Sequence, residues 1–388
     1  MELNNGQQEC LKKLLKWWKE DKKTQQVFEI SGAAGTGKTT IVKSLIEELN
    51  LDTDEVMFMA FVGKAAMALS RTGLNAKTIH SSIYYRADVP KLNEKGEVVT
   101  YMGRIVTKPV FRKKSRLNDN IKLIVVDEAP MVNGQIGMDI LSFGIPVIAL
   151  GDLNQLPPIF GDYFFLKNPD HILTEIMRQK KDNPIIYLSH EIIKGNFPKP
   201  GVYGNNVLVT KKSYINDEWY NRTDINICGK NKTREKINDI VRHKLIGIKR
   251  PEPVIGDKII CRQNVWDRCI YDNIYLINGM IGYITDIDVE GFNKTFMWIN
   301  FRPEFIEDSF DNIPLDYKFL FLSQKEKESY IAKGIKFEYG YAITCHLAQG
   351  SQYKKVLIHN EFLGDRNFYK KWLYTAITRA QEKAILLL

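Results

Sequence analysis

Residues 32–40 read GAAGTGKTT, a complete G-x-x-x-x-G-K-[ST] run. Its glycines let the backbone approach a polyphosphate closely, and a helix starting behind them offers free N–H groups. The amides of Gly32, Ala33, Ala34, Gly35, Thr36, Gly37 and Lys38 can wrap the phosphates. In this pattern Lys38 belongs on the β and γ phosphates and Thr39 on Mg²⁺, with Thr40 closing the run. Near the other end, LYTAITRAQ at 373–381 carries Arg379, an arginine of the kind that reaches across to a neighbouring site's γ-phosphate. Together the two segments predict an NTP site closed by two lobes.

Three further segments offer groups for the same chemistry. VVDEA at 125–129 supplies Asp127 as a direct or water-mediated Mg²⁺ ligand and Glu128 as the base that orients an attacking water. The plain alternative is a solvated acidic pair, but the apolar run before it aims both side chains at the edge where the phosphate loop lies. GDLNQLPPI at 151–159 offers Gln155 as a neutral donor to the γ-phosphate or the water. Arg178, in TEIMRQ, and Arg379 complete the set. A lone arginine is usually a surface ion-pair partner. A cation on the transferring phosphoryl group, however, lowers the barrier to hydrolysis, and supplying it from another lobe couples hydrolysis to lobe closure.

These residues need a sheet to hold them. An apolar strand at 27–32 feeds the phosphate loop, and TTIVKSLIEEL follows with helical periodicity. Further apolar runs at 56–60, 121–126 and 146–150 each end in polar or glycine residues, which predicts a parallel α/β sheet buried on both faces with its chemistry at the carboxyl edge. Residues 84–120 are rich in Lys, Arg and aromatics, and NEKGEVVTYMGRIVTK predicts a hairpin turning near Lys95 and Gly96. The cluster FRKKSR at 111–116 could steer a polyanion; a solvated loop is the alternative. After residue 178 comes a second α/β region, with strands near 225–228 and 355–359. Strand-like runs between about 278 and 333 interrupt it and resemble a small inserted β barrel. Trp17 and Trp18 are read as packing.

At 388 residues the chain is too long for one ordinary core, so two or more domains are expected. The 55 Lys and Arg exceed the 46 Asp and Glu, giving a net charge of +9 that favours a polyanionic partner. The five cysteines, Cys10, Cys228, Cys261, Cys269 and Cys345, lack zinc spacing and read as reduced residues of an intracellular protein. The N-terminus has no signal-peptide core, and no apolar run approaches the roughly 20 residues that span a bilayer. No membrane role is expected.

In order along the chain stand LNNGQQ (3–8), GAAGTGKTT, AFVGKAA (60–66), KTIHSSI (77–83), VVDEAPMV, GDLNQLPP, the Arg178 segment, TCHLAQGSQY (344–353) and LYTAITRA. Nine motifs in this order resemble the superfamily 1B helicases, the branch with the RecD-like and phage Dda proteins, over nearly the whole chain. The resemblance implies an α/β fold of two RecA-like parallel-sheet lobes, with a β-hairpin pin and a small SH3-like β-barrel as insertions. Its expected boundaries are 1–83 with 121–177 for the first lobe, 84–120 for the pin, 178–277 with 334–388 for the second lobe, and 278–333 for the barrel. It implies ATP with Mg²⁺ between the lobes, adenine read by Gln7, and Gly350 at the nucleotide.

Single-stranded DNA would cross the tops of both lobes. Phe61, Lys64, Thr78, His80, Thr344 and His346 are the candidate contacts, with core packing the alternative for Phe61 and His80. The implied activity is ATP-dependent translocation 5′ to 3′ and separation of tailed duplex at a pin tip near residues 95–102. An RNA helicase of the same superfamily, or an ATP-driven nucleic-acid switch that does not unwind, stays open. Val62 stands where the family commonly has Thr, Leu347 where it has Lys, and Gln352 where it often has an acid. One chain carries both halves of the ATP site, so a monomer suffices. The resemblance admits replication or recombination proteins as partners without choosing between them. It implies a cytoplasmic protein, and the chain's economy points weakly to a phage or mobile element.

Overall fold

Apolar runs that do not alternate become the strands of two parallel sheets, one in each of two compact units. The computed structural model describes residues 3–61, 63–70, 73–90, 96–98, 100–101, 104–105, 107–157, 163–175, 183–270, 274–288, 296–304 and 306–388. One unit comprises Met1–Leu153 and Pro157–Met177, the other Asn154–Leu156 and Arg178–Leu388.

The first unit contains α1 (Asn5–Lys16), β1 (Val27–Gly32), α2 (Lys38–Glu48), β2 (Val56–Ala60), α3 (Gly63–Ser70), β3 (Ala76–Thr78), α4 (Ile79–Ile83), β4 (Tyr84–Pro90), β5 (Thr100–Tyr101), β6 (Arg104–Ile105), β7 (Thr107–Lys113), β8 (Leu123–Asp127), α5 (Gly134–Leu141), β9 (Val147–Gly151) and β10 (His171–Leu173). Its parallel sheet has the order β10-β1-β9-β8-β2-β3. Strand β8 illustrates why the sequence lacks alternation. Leu123 and Val125 point into a core with Trp17, Phe28 and Leu45, while Ile124 and Val126 point into another with Ile79, Ile136 and Val147. Both faces are covered, and each such side chain gains about 1.5–3 kcal/mol on burial. Trp17 packs as expected, 2 % exposed, with its ring 5.6 Å from Phe28.

Strands β4 and β7 pair antiparallel from Tyr84↔Lys113 to Pro90↔Thr107. Strand β5 pairs antiparallel with β6, Tyr101 opposite Arg104. Of the turn expected near Lys95 and Gly96, Gly96 adopts the positive φ of 80° that such a turn uses. Lys95 and Met102, the ends expected for a tip, lie outside the described residues. The ladder's foot is tied to the unit by Tyr84 Oη donating to Asp139 (2.6 Å) and Lys113 Nζ donating to Ser142 Oγ (2.6 Å).

The second unit contains α6 (Pro184–Lys194), β11 (Gly201–Tyr203), β12 (Val207–Thr210), β13 (Ile225–Cys228), α7 (Asn231–Asp239), β14 (Lys258–Cys261), β15 (Val265–Ile270), β16 (Ile274–Leu276), β17 (Ile281–Asp288), β18 (Met297–Pro303), β19 (Phe310–Leu315), α8 (Gln324–Ser329), β20 (Phe337–Tyr339), β21 (Ala342–Thr344), β22 (Tyr353–His359), α9 (Arg366–Ile377) and β23 (Ala380–Leu387). Its main sheet, β11-β12-β23-β22-β13-β21, is parallel apart from β11. A second, antiparallel sheet runs β19-β18-β17-β14-β20, and an isolated bridge between Leu315 and Ile335 joins segments at its two edges.

That antiparallel sheet reaches beyond the expected 278–333 on both sides. Its strand β14 reads KIIC, an unalternating run that sequence alone cannot tell from a buried parallel strand. Buried charge ties it down. Arg242 Nε donates to Asp257 (2.9 Å), and Glu338 forms ion pairs with Arg234, Arg262 and Lys327. Burial works against the ionised form of Glu338, yet these three cations hold its carboxyl below the usual range. Four of the cysteines are buried, Cys269 is exposed, and all five are free.

His359, at the end of β22, is 4 % exposed, with Nε2 3.1 Å from Asn226 Oδ1 and its ring 4.9 Å from that of Tyr220. Burial pushes its pKa down to about 3. In the unfolded chain the imidazole takes a proton near pH 6.5 that the folded chain refuses. The stability it contributes is therefore complete above that pH and is lost as pH falls towards 3, by up to about 1.4 kcal/mol per pH unit. Urea unfolding at pH 7 and pH 5 should show a smaller drop for His359→Gln than for wild type; equal drops would refute this account.

Candidate nucleotide and nucleic-acid sites

The loop between β1 and α2 has the backbone its sequence demands. Gly35 and Gly37 adopt positive φ of 84° and 81°. At Gly32 a Cβ would lie 2.5 Å from Thr36 Oγ1 and 3.1 Å from Leu173 Cβ, so the loop closes tightly only around a glycine. Thr36 is buried and donates its hydroxyl to Ala33 O (2.9 Å), which fixes the curve. Lys38 Nζ lies 2.6 Å from Gly32 O, folded over the loop it would serve. Ala33 is buried, while Ala34, Thr39 and Thr40 are partly exposed at the helix start.

Gln7 reaches this loop directly. It is 2 % exposed, donates Nε2 to Thr36 O (2.9 Å), and accepts from Asn4 N (3.0 Å), while Asn4 caps α1 by accepting from Gln7 N. A single capping box therefore ties the start of α1 to the phosphate loop.

Strand register sets the rest of the edge. Ser31 pairs with Gly151, and Ala60 with both Asp127 and Thr78. The ends of β1, β9, β8, β2 and β3 thus line up, with the phosphate loop and Asp127 two strands, about 10 Å, apart. Burial raises the pKa of the Asp127 carboxyl, while Lys38 nearby opposes the rise. Glu128 sits at φ 52°, a conformation uncommon for a residue with a side chain. Gly151 must be glycine, since a Cβ there would meet Pro130 Cδ at 2.3 Å. Oxygen donors at Thr39 and Asp127 are of the hard type that Mg²⁺ prefers.

The remaining nucleotide candidates fall elsewhere. Residues 154–156, expected with the first lobe, group with the second unit, and Gln155 with them. The reason is local. Leu156 N–H donates to Thr375 Oγ1 (2.9 Å) and its carbonyl accepts from Gln349 Nε2 (2.9 Å). Arg379 is 4 % exposed and folds back on its own unit, donating to Thr375 O, Ser351 O and Thr378 Oγ1 at 3.0, 3.2 and 3.2 Å. All three acceptors are neutral. Gly350 adopts a φ of 69° in the turn after β21. Arg178 lies outside the described residues.

Among the nucleic-acid candidates, Thr78 caps α4, accepting from Ser81 N (3.2 Å), and Phe61 packs partly buried against the first unit's core. The His80 ring stands 5.5 Å from Tyr84 and 5.7 Å from Phe111, at the foot of the β4–β7 ladder. Burial lowers the pKa of both His80 and His346. Thr344 ends β21, and the His346 ring lies 6.3 Å from that of Phe368. Lys64 belongs to α3, but its side chain and Val62 lie outside what the structure describes.

Residues 19–161 match an AAA domain, and residues 339–387 match a UvrD-like helicase C-terminal domain. The chain is 25 % identical over 386 residues to the ATP-dependent RecD2 DNA helicase of Deinococcus radiodurans, covering 91 % of this chain and 46 % of that protein. It is 27 % identical over 291 residues to the ATP-dependent DNA helicase dda of Enterobacteria phage T4, covering 68 % and 61 %. In sequence the chain is thus similar to the RecD2 and dda helicases. Its fold is also that of Bacteroides Pif1 bound to ssDNA, with a TM-score of 0.54 at 17 % identity, covering all of this chain and 92 % of that one. The chain spans less than half the length of the first curated relatives it matches.

Three polar residues escaped the sequence reading as site-builders. Thr375 and Gln349 hold the Leu156 backbone, and both sit inside motifs already recognised by their arginine and glycine. Glu361 accepts from Gly229 N (2.6 Å), Lys230 N (2.9 Å) and Thr233 Oγ1 (2.6 Å) at the start of α7. Nothing in its local sequence marks it, because its partners lie about 130 residues away. No helix among the described residues is long and apolar enough to cross a membrane.

Gly32→Ala should weaken binding of a fluorescent ATP analogue at least about tenfold, equivalent to ~1.4 kcal/mol, with little change in the melting curve. An unchanged affinity would mean that the tight closure at Gly32 does not serve the nucleotide.

Proposed function

We propose that the chain is an ATP-dependent DNA helicase that moves 5′ to 3′ on single-stranded DNA and separates tailed duplex at the β4–β7 ladder. The observation that carries the reading is the carboxyl edge of the first sheet, where the phosphate loop after β1 and Asp127 and Glu128 at the end of β8 share one edge, separated by β9. Support comes from the two relatives named as ATP-dependent DNA helicases and from the net charge of +9.

The roles we assign are these. The loop amides and Lys38 bind the phosphates, and Gln7, locked to Thr36, sets the loop's position at the adenine side. Thr39 and Asp127 would hold Mg²⁺, which when bound neutralises phosphate charge and polarises the phosphoryl group. Glu128, held beside Asp127, orients the attacking water. Arg379, buried against neutral acceptors, is a cation that gains by exchanging carbonyls for a phosphate. Gln155, whose neighbour Leu156 is gripped by Thr375 and Gln349, reports the γ-phosphate to the second unit. Arg178 is the second phosphate-facing cation. Thr344, His346, Lys64 and backbone amides grip the strand, and the ladder with its basic flank splits the duplex.

Strand separation with ATP and Mg²⁺, on duplexes tailed on either the 5′ or the 3′ side, tests the whole reading. The 5′-tailed duplex alone should unwind, and Lys38→Ala should abolish it. Preference for the 3′ tail would reverse the direction. Strong DNA-stimulated ATPase without unwinding would instead support the switch, and stronger stimulation by RNA the RNA helicase. Arg379→Ala should keep nucleotide affinity while lowering turnover on the order of 10³-fold. Wild-type turnover would remove Arg379 from the site.

A further inference from the structure

Rings gather at the carboxyl edge of the second unit's sheet, away from the residues assigned to nucleotide. Phe362 follows the end of β22 and is 64 % exposed. Its ring centroid lies 5.0 Å from that of Tyr369 on α9, and Tyr369 lies 5.2 Å from Phe197. Tyr369 is well fixed. Its hydroxyl hydrogen-bonds Asn360 Oδ1 (2.9 Å), and its ring stacks on the buried Trp372 at 6.5 Å and 11°. The Arg366 guanidinium sits 5.7 Å from the Phe197 ring centre. Glu361, beside Phe362, accepts from the backbone of Lys230, so exposed Lys230 and Lys232 belong to the same edge.

A lone exposed phenylalanine says little. Here the exposed ring is backed by an immobilised one on an edge that also carries Arg366 and Lys230, and stacking rings with nearby cations are what hold single-stranded nucleic acid. We infer that Phe362, backed by Tyr369, is a stacking platform for a base of single-stranded DNA. Strand order β22-β13-β21 puts it two strands, about 10 Å, from Thr344 on the same edge, so it extends the strand's path past Thr344 and His346. The contact is indifferent to sequence, because every base has a π face. The inference rests on the DNA-binding reading above.

Fluorescence anisotropy of the full chain with labelled oligothymidine, and with an abasic strand of equal length, separates stacking from charge. Phe362→Ala should weaken oligothymidine binding roughly five- to a hundredfold and leave abasic binding unchanged, while Phe362→Trp keeps wild-type affinity. Absence of binding by the wild type would overturn the DNA reading and the platform together. Wild-type binding with an unchanged Phe362→Ala would overturn the platform alone, as would equal weakening on both strands. Self-association seen by sedimentation and abolished in Phe362→Ala, with DNA affinity unchanged, would assign the ring to a second copy instead.

Discussion

A parallel sheet covered on both faces has only its strand ends to offer to solvent, and this constraint organises the first unit. Strand β8 is apolar until its last residue, Asp127, where it turns polar as the backbone leaves the core. Ser31, Gly151, Asp127 and Thr78 are brought into line by register, and helix α2 adds its free amides at the same level. The need for close approach then dictates glycine at Gly32 and Gly151, where even a methyl group would collide with neighbours. Chemistry and packing are thus solved by one arrangement.

The second unit manages buried charge as well as apolar burial. Asp257 is fully buried yet satisfied by Arg242, by the Tyr341 hydroxyl (2.9 Å) and by Val254 N (2.8 Å). Glu338 plays the same part for three cations. Such networks lie where β14 and β20 enter the antiparallel sheet, so that sheet is anchored by geometry-specific bonds in addition to its apolar core. Removing one partner leaves a buried charge uncompensated, a loss that apolar packing cannot recover.

Local pattern carried much of this into the sequence. The phosphate loop, the strands at 27–32 and 56–60, and the acidic pair were legible because strand-to-helix transitions and apolar runs leave short-range marks. The pairing of Tyr101 with Arg104 was not, because register is decided by the partner strand. The limits of the antiparallel sheet failed for a related reason, since β14 is apolar on both faces. The grip on Leu156 is a long-range event, made by Gln349 and Thr375 about 190 and 220 positions away, and no local rule announces it.

In each unit a buried strand leads through glycine and lysine positions into a helix, β1 into α2 and β13 into α7. In the first, no side chain caps the helix start. In the second, Glu361 brings its own carboxylate to the amides of Gly229 and Lys230 and to the Thr233 hydroxyl. A built-in carboxylate thus satisfies the amides at the start of α7, and the helix dipole favours its charge there.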